Sequence, residues 1–436
     1  MPRRPRARAS APATSQAADD SIPKIMLPDL ASAEFAHLDS SRVSYLNAAS
    51  RTPLPARTLR EGVAAMRKKA ATPWDIGDTE AAKDTVRGLF ASMLGPSATA
   101  DDVCVVPSCS YAMSLAAHNC RARLRARPPG RRGVLVLQDQ NPSNVMQWQQ
   151  LCEEESGELC VVPPPAADGD WARSIVPRLS EGTIAVAALP PCHWCDGALV
   201  DLDAVGAACQ AHGTLLVVDA TQWLGAGPPI DVVRLGVAFL ACSIHKWLLG
   251  PYGACVCYAA PSFWRSATPI EQHDRNREGA QHVECLPMDP REGYPAAFQH
   301  GCRRLDSGGR PSYIVMPMLR TSMRYLVEEL RVDRVSEWLS AYTAEIARRA
   351  SGLGFSAPRR HAPGIVGLRP DPQTMPDAAT IVRRLKVGGA ARRPVLVSER
   401  LGAIRISPHV YNTREDLERL ISALQEAVQG QPTSKL

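Results

Sequence analysis

The sequence predicts an α/β protein: a large domain built on a mainly parallel sheet, followed by a small α+β domain at the C-terminal end. Three observations carry this expectation. Between about residues 57 and 260, short β-branched runs alternate with longer helix-like segments, the order that builds parallel sheets. No self-similarity at a fixed period is visible, which sets aside solenoids and propellers. With 436 residues, 45% hydrophobic and 22% charged, the chain matches ordinary globular composition and has length for one large domain and a smaller one.

Met1 to about Ser21 is rich in Arg, Ala, Ser and Pro, and begins with Arg3, Arg4, Arg6 and Arg8. It has no apolar stretch and is not a secretory signal. It reads as a disordered tail, with an organelle-targeting peptide as the other reading. The apolar run Val103-Cys104-Val105-Val106 is followed by Ser108-Cys109-Ser110 and a helix-like segment. Residues 133–137, 183–187 and 214–218 read as buried strands bounded by turns, with a crossover helix over 202–209 between the last two. Asp219 closes the third strand, and sites in such sheets lie beyond the carboxyl ends of the strands. A Pro- and Gly-containing stretch from about Gln281 to Gly309 precedes a helical region, Ser312 to about Gly352. Residues from Ile365 to about Val428 mix short strands with a final amphipathic helix and form the small domain.

Composition narrows the chemistry. Of 50 basic residues only seven are lysines, and between Lys83 and Lys386 Lys246 stands alone. Arginine forms no Schiff base and stays protonated, so Lys246 is the one amine in that long stretch able to do so. The net charge of +6 is small and lies partly in the tail, and no basic stripe interleaved with aromatics follows, so no nucleic-acid partner is expected. No apolar run approaches the ~20 residues of a membrane-spanning helix; a cytoplasmic location is expected. The 13 cysteines, all from Cys104 to Cys302, read as buried free thiols rather than a disulfide scaffold. Cys192-His193-Trp194-Cys195 has redox or metal spacing. It lacks a second such pair, so a metal or redox module is the lesser reading and no metal is expected.

Asp219, Gln222 and Lys246 fall within 28 residues. Lys246 sits in the mostly apolar Ser243-Ile244-His245-Lys246-Trp247-Leu248-Leu249-Gly250-Pro251-Tyr252-Gly253, where desolvation would free its neutral amine as a nucleophile. A carboxylate at the end of a buried strand suits a pyridinium nitrogen, because it keeps the ring protonated as an electron sink. Ser108-Cys109-Ser110 before a helix offers a phosphate site, or a plain helix N-cap.

These stretches resemble the class V aminotransferases, pyridoxal-phosphate enzymes of fold type I. The resemblance covers nearly the whole chain after the tail. It includes Tyr45-Leu46-Asn47-Ala48-Ala49, Asn141-Pro142-Ser143-Asn144-Val145 with Trp148, His193-Trp194-Cys195-Asp196-Gly197 with Asp201-Leu202, and Leu305-Asp306-Ser307-Gly308-Gly309. Ile404-Arg405-Ile406-Ser407-Pro408-His409 with Tyr411-Asn412-Thr413 completes it. It implies pyridoxal 5′-phosphate held on Lys246, with Asp219 on the pyridinium and Gln222 on the phenolic oxygen. Ser108, Cys109, Ser110, Ser243 and His245 would serve the phosphate, and Asn141 would lie at the ring. Arg405 would clamp the substrate carboxylate, with Asn47, Ala48, His193 and Trp194 around the substrate. Gly309 would reach the neighbouring subunit's phosphate, implying a homodimer with shared sites. The implied organisation is a tail over 1–22, an N-terminal segment over 23–56 packing on the small domain and active site, a large cofactor-binding domain over 57–310, and a small domain over 311–436.

Two departures bear on the reaction. Asn141 stands where many members place a histidine or aromatic over the ring. Either ring packing or reaction choice is altered, or Trp194 or another ring covers the cofactor. Cysteine desulfurases carry a catalytic cysteine shortly before the position of Arg405, and the interval 386–400 has none, which disfavours a persulfide-carrying desulfurase. The expected activity is bond breaking at the α-carbon of an amino acid or amino-acid-derived metabolite through an external aldimine, by transamination or epimerisation. β-Elimination of an S-substituted cysteine is the alternative.

Overall fold

The computed structural model describes residues 31–39, 42–77, 80–165, 170–279, 295–309, 311–387 and 393–429. The expectations for the tail and for much of 281–309 lie outside these residues.

After the short β1 (Ser44–Tyr45), seven strands form the main sheet: β2 (Val103–Val106), β3 (Gly133–Leu137), β4 (Glu158–Val162), β5 (Ile184–Leu189), β6 (Leu215–Asp219), β7 (Val237–Ser243) and β8 (Cys255–Ala259). Their order is β2-β8-β7-β6-β5-β3-β4. Only β8 runs against its neighbours; the other pairings are parallel. Nearly every position of the central strands is buried, as a sheet covered on both faces requires. Alternate residues serve different cores: Leu135 and Leu137 join one cluster, Val134 and Val136 the other.

Helices α1 (Ala56–Ala71), α2 (Glu80–Ala91), α3 (Cys109–Ala126), α4 (Met146–Glu155), α5 (Ala172–Ser180) and α6 (Leu202–His212) accompany the sheet. The crossover α6 has clear start and stop signals. Asp201 accepts the Asp203 and Ala204 N–H groups, and Gly213 takes the left-handed φ of 62° that closes the C-terminus. The region 312–352 is α7 (Val315–Arg324), a π-helical turn over 325–330 and α8 (Val332–Ser351). The sequence reading put α7 with the small domain. It packs on α1 and α2, and a Cβ at Gly62 of α1 would lie 2.5 Å from Met318 Sδ.

The C-terminal part holds β9 (Val366–Leu368), α9 (Ala378–Val387), β10 (Val395–Leu396), β11 (Ser398–Arg400), β12 (Ala403–Ile406) and α10 (Arg414–Gln429). Strands β11, β12 and β9 form an antiparallel sheet, and β10 pairs in parallel with β1. The N-terminal segment is thus stitched to this part. Asn47 bridges Ser407, and the Ala48 and Ala49 N–H groups donate to the Ser407 carbonyl and Oγ. Among the described residues no helix is long and apolar enough to cross a membrane.

Candidate active site

The carboxyl ends of β2, β3, β5, β6 and β7 share one edge of the main sheet, because β8 alone is reversed. Two adjoining cavities open there, of about 350 and 570 Å³. Lys246, Asn141, Trp194, Gln222 and Tyr252 line both.

The smaller cavity is floored by Asp219, the last residue of β6, 8% exposed. Its Oδ1 accepts the Thr221 N–H at 3.0 Å, and among the described residues no group donates to Oδ2. Thr221 in turn accepts the Ser243 N–H on Oγ1 at 3.1 Å, fixing the end of β7 against that of β6. Gln222 is held at both ends: Oε1 accepts the Trp247 indole N–H at 2.9 Å, and Nε2 donates to the Ala49 carbonyl at 3.0 Å. One amide hydrogen remains for a ligand.

At the far side Ser108 caps the 18-residue α3, its Oγ accepting the Tyr111 N–H at 3.2 Å and lying 3.1 Å from Ser110 Oγ. Cys109, Ser110, Ser243 and His245 line the same cavity. Hydroxyls around the N-terminus of a helix suit an anion. The His245 ring stacks on Tyr252 at 4.0 Å, and burial, with Lys246 beside it, lowers its pKa to about 4. Burial also lowers the Lys246 amine below the usual lysine range, against the Asp219 carboxylate, which raises it.

In the larger cavity Arg405, 1% exposed, donates to the Trp194 carbonyl at 3.0 Å, Ser50 Oγ at 2.6 Å and Ser398 Oγ at 3.2 Å. All three partners are neutral. Burial, with Arg400 nearby, lowers its pKa to about 10. Trp194 is pinned by its N–H to the Asp139 carbonyl at 2.8 Å. Asn47 lines this cavity, and Asn141 Oδ1 is taken by the Ser143 N–H.

Two expected site residues, His193 and Ala48, are not brought in. His193 is buried in its own turn: its ring stacks on Trp171, with Nε2 3.3 Å from the Gln138 carbonyl. Ala48 is fully buried with its backbone committed to Ser407 and Thr52; Ala49 lines the wall instead. Gly309 is exposed and lines neither cavity of its own chain. Cys192 and Cys195 are buried free thiols, and no group of three metal-ligating side chains occurs among the described residues. The sequence reading assigned no role to Thr221, Tyr252, Ser50, Arg400 or Trp247. Tyr252 and Trp247 lay within the quoted lysine segment, but only the folded turns show what their side chains touch.

Residues 44–420 match the family model described as aminotransferase class-V. The uncharacterized aminotransferase YcbU of Bacillus subtilis (strain 168) is 26% identical over 342 residues, 78% of this chain and 82% of that protein. A cysteine desulfurase of Klebsiella pneumoniae is 24% identical over 300 residues, 67% of this chain and 70% of that one. The solved structure of the cystine C–S lyase C-DES with its product cysteine persulfide superposes with a TM-score of 0.74 at 18% identity, covering 90% of this chain and 99% of that one. The fold is that of the fold type I pyridoxal-phosphate enzymes.

Proposed function

The chain belongs to the aminotransferase class-V family, enzymes whose cofactor is pyridoxal 5′-phosphate, and on that premise we propose that it acts at the α-carbon of an amino acid or amino-acid-derived metabolite, as an aminotransferase or epimerase. The observation that carries this reading is the place of Lys246, whose side chain lines both the cavity closed by Asp219 and the cavity closed by Arg405. The donor set of the smaller cavity fits the cofactor: an acid at one end, hydroxyls on a helix N-terminus at the other, and an amine between. When bound, the pyridoxal ring supplies an electron sink for charge left at the α-carbon.

The protein's part follows from its own atoms. Lys246 Nζ, whose pKa burial brings below the usual lysine range, would hold the cofactor covalently and then move a proton at the substrate α-carbon. The Asp219 carboxylate accepts the pyridinium N–H and holds that proton in place. The remaining Gln222 amide hydrogen goes to the phenolic oxygen. Ser108, Ser110, Ser243, His245 and the N-terminus of α3 receive the phosphate. Arg405 takes the substrate carboxylate with its planar fork, which the neutral groups around it leave uncompensated. Trp194 provides the ring packing that Asn141 lacks. Gly309 would serve the neighbouring subunit's site in a homodimer.

The test is borohydride reduction of the purified protein followed by peptide mass analysis. The reading expects a visible cofactor band and a stable pyridoxyl adduct on Lys246, both lost in Lys246→Ala. A protein without the band, or an adduct elsewhere, overturns it. The alternative is β-elimination from an S-substituted cysteine, which the same lysine, acid and arginine would serve. Pyruvate and thiol released only from S-substituted cysteines would select it.

A further inference from the structure

The larger cavity carries more positive charge than one α-carboxylate uses. Beside Arg405 and Lys246 it is lined by Arg51, Lys386 and Arg400, and no Asp or Glu lines it. Arg400 and Arg405 face the same Trp194 ring, their guanidinium carbons 5.7 and 5.8 Å from its centroid. Arg400 Nη1 donates to the Glu399 backbone carbonyl at 2.6 Å. Among the described residues none of Arg51, Lys386, Arg400 and Arg405 has a carboxylate within ion-pair distance. Some arginines elsewhere do find acids: Arg348 meets Glu345 at 2.6 Å and Arg349 meets Glu418 at 2.6 Å. Residues 388–392, which follow α9 and precede β10, contain no acid in their sequence. Two guanidinium groups sharing one indole repel each other, and the cost rises as water is excluded, unless anions lie between or beside them.

We propose that the substrate is an amino acid whose side chain ends in a second oxyanion, received by Arg400 and Lys386 with Arg51 at the mouth, while Arg405 holds the α-carboxylate. The inference rests on the amino-acid reading of the site and names its substrate class. Guanidinium and ammonium donors both serve a carboxylate, a sulfonate or a phosphate. The anionic end adds specificity without taking part in the chemistry, so Arg400 and Lys386 select the substrate and Lys246 transforms it.

The experiment is equilibrium titration of the holoenzyme, followed by the cofactor's visible absorbance, with matched pairs: glutamate against glutamine, cysteate against serine, O-phosphoserine against serine, and S-carboxymethylcysteine against S-methylcysteine. At least one anionic member binds about tenfold or more tightly than its neutral partner, as a charge-assisted contact supplies. The pair with the largest ratio identifies the oxyanion. Arg400→Gln and, independently, the exposed Lys386→Gln reduce that ratio severalfold. Ratios near one in every pair, or a preference unchanged in both variants, overturn the proposal. Failure of the underlying site reading is separate: the cofactor band would be absent before any amino acid is added.

Discussion

Trp247 donates its indole N–H to Gln222 Oε1 at 2.9 Å, and both side chains are buried. Together with the Nε2 bond to the Ala49 carbonyl, it fixes the orientation of the amide and leaves one N–H for the cavity. The indole is itself wedged: a Cβ at Gly364 would lie 2.5 Å from its ring. Trp247→Phe should therefore remove one of the two bonds that fix the Gln222 amide and loosen it. We expect cofactor affinity to fall by about tenfold, the worth of roughly one buried hydrogen bond, read as faster loss of visible absorbance on dilution.

Arg405 separates binding from stability. Its guanidinium is buried among a carbonyl and two hydroxyls, and a buried charge without an opposite charge is costly to the fold. Arg405→Met removes that cost while opening a small gap. The unfolding free energy should stay within about 1 kcal/mol of wild type, measured by urea denaturation without substrate. KM for the amino-acid substrate should rise by about 100-fold, the worth of a charge-assisted bidentate contact. A large loss of stability with unchanged KM would show that Arg405 is structural.

Asp306 is the opposite case. Its Oδ1 accepts the Val105 N–H of β2 at 2.8 Å, while Oδ2 meets Lys83 at 2.8 Å and also Arg87. Burial would raise this carboxyl, but Arg87 and Lys83 together hold it below the ordinary aspartate range. It ties the 306–309 turn to the strand that delivers Ser108. Asp306→Asn leaves two buried cations facing a neutral amide. A loss of about 3–5 kcal/mol in unfolding free energy is expected, measured by urea denaturation.

How much of this was legible in the sequence varied by physical cause. The parallel strands and α6 were readable because local patterns specify them: apolar runs of strand length, and an Asp N-cap with a Gly stop. The edge that gathers Asp219, Gln222 and Lys246 followed from one strand ending in a carboxylate. The reversal of β8 was not readable, because a fully buried run such as 255–259 has the same pattern in either direction. His193 was misplaced because motif position does not say where a ring points. Its turn aims it at Trp171, whereas the next residue, Trp194, faces the cavities. The cationic wall was invisible because Arg51 lies far along the chain from Lys386 and Arg400 and joins them only when β1 pairs with β10.

His409 supplies a pH test. It is fully buried against Trp247, ring centroids 5.4 Å apart, and its Nδ1 accepts the Val410 N–H at 2.8 Å. Protonation would break that bond, and burial lowers the pKa from 6.5 to about 4. Between those values the unfolded chain binds more protons than the folded one, so stability is full above about pH 6.5, falls as pH decreases, and is lost to its full extent below about pH 4. From pH 7.5 to 5 this histidine should account for a loss of about 2 kcal/mol. His245 and His361 are shifted downward too, so the informative quantity is a difference. His409→Gln should lose about 2 kcal/mol less than wild type over that interval in urea midpoints. Equal losses would mean that His409 is protonated without penalty in the folded protein.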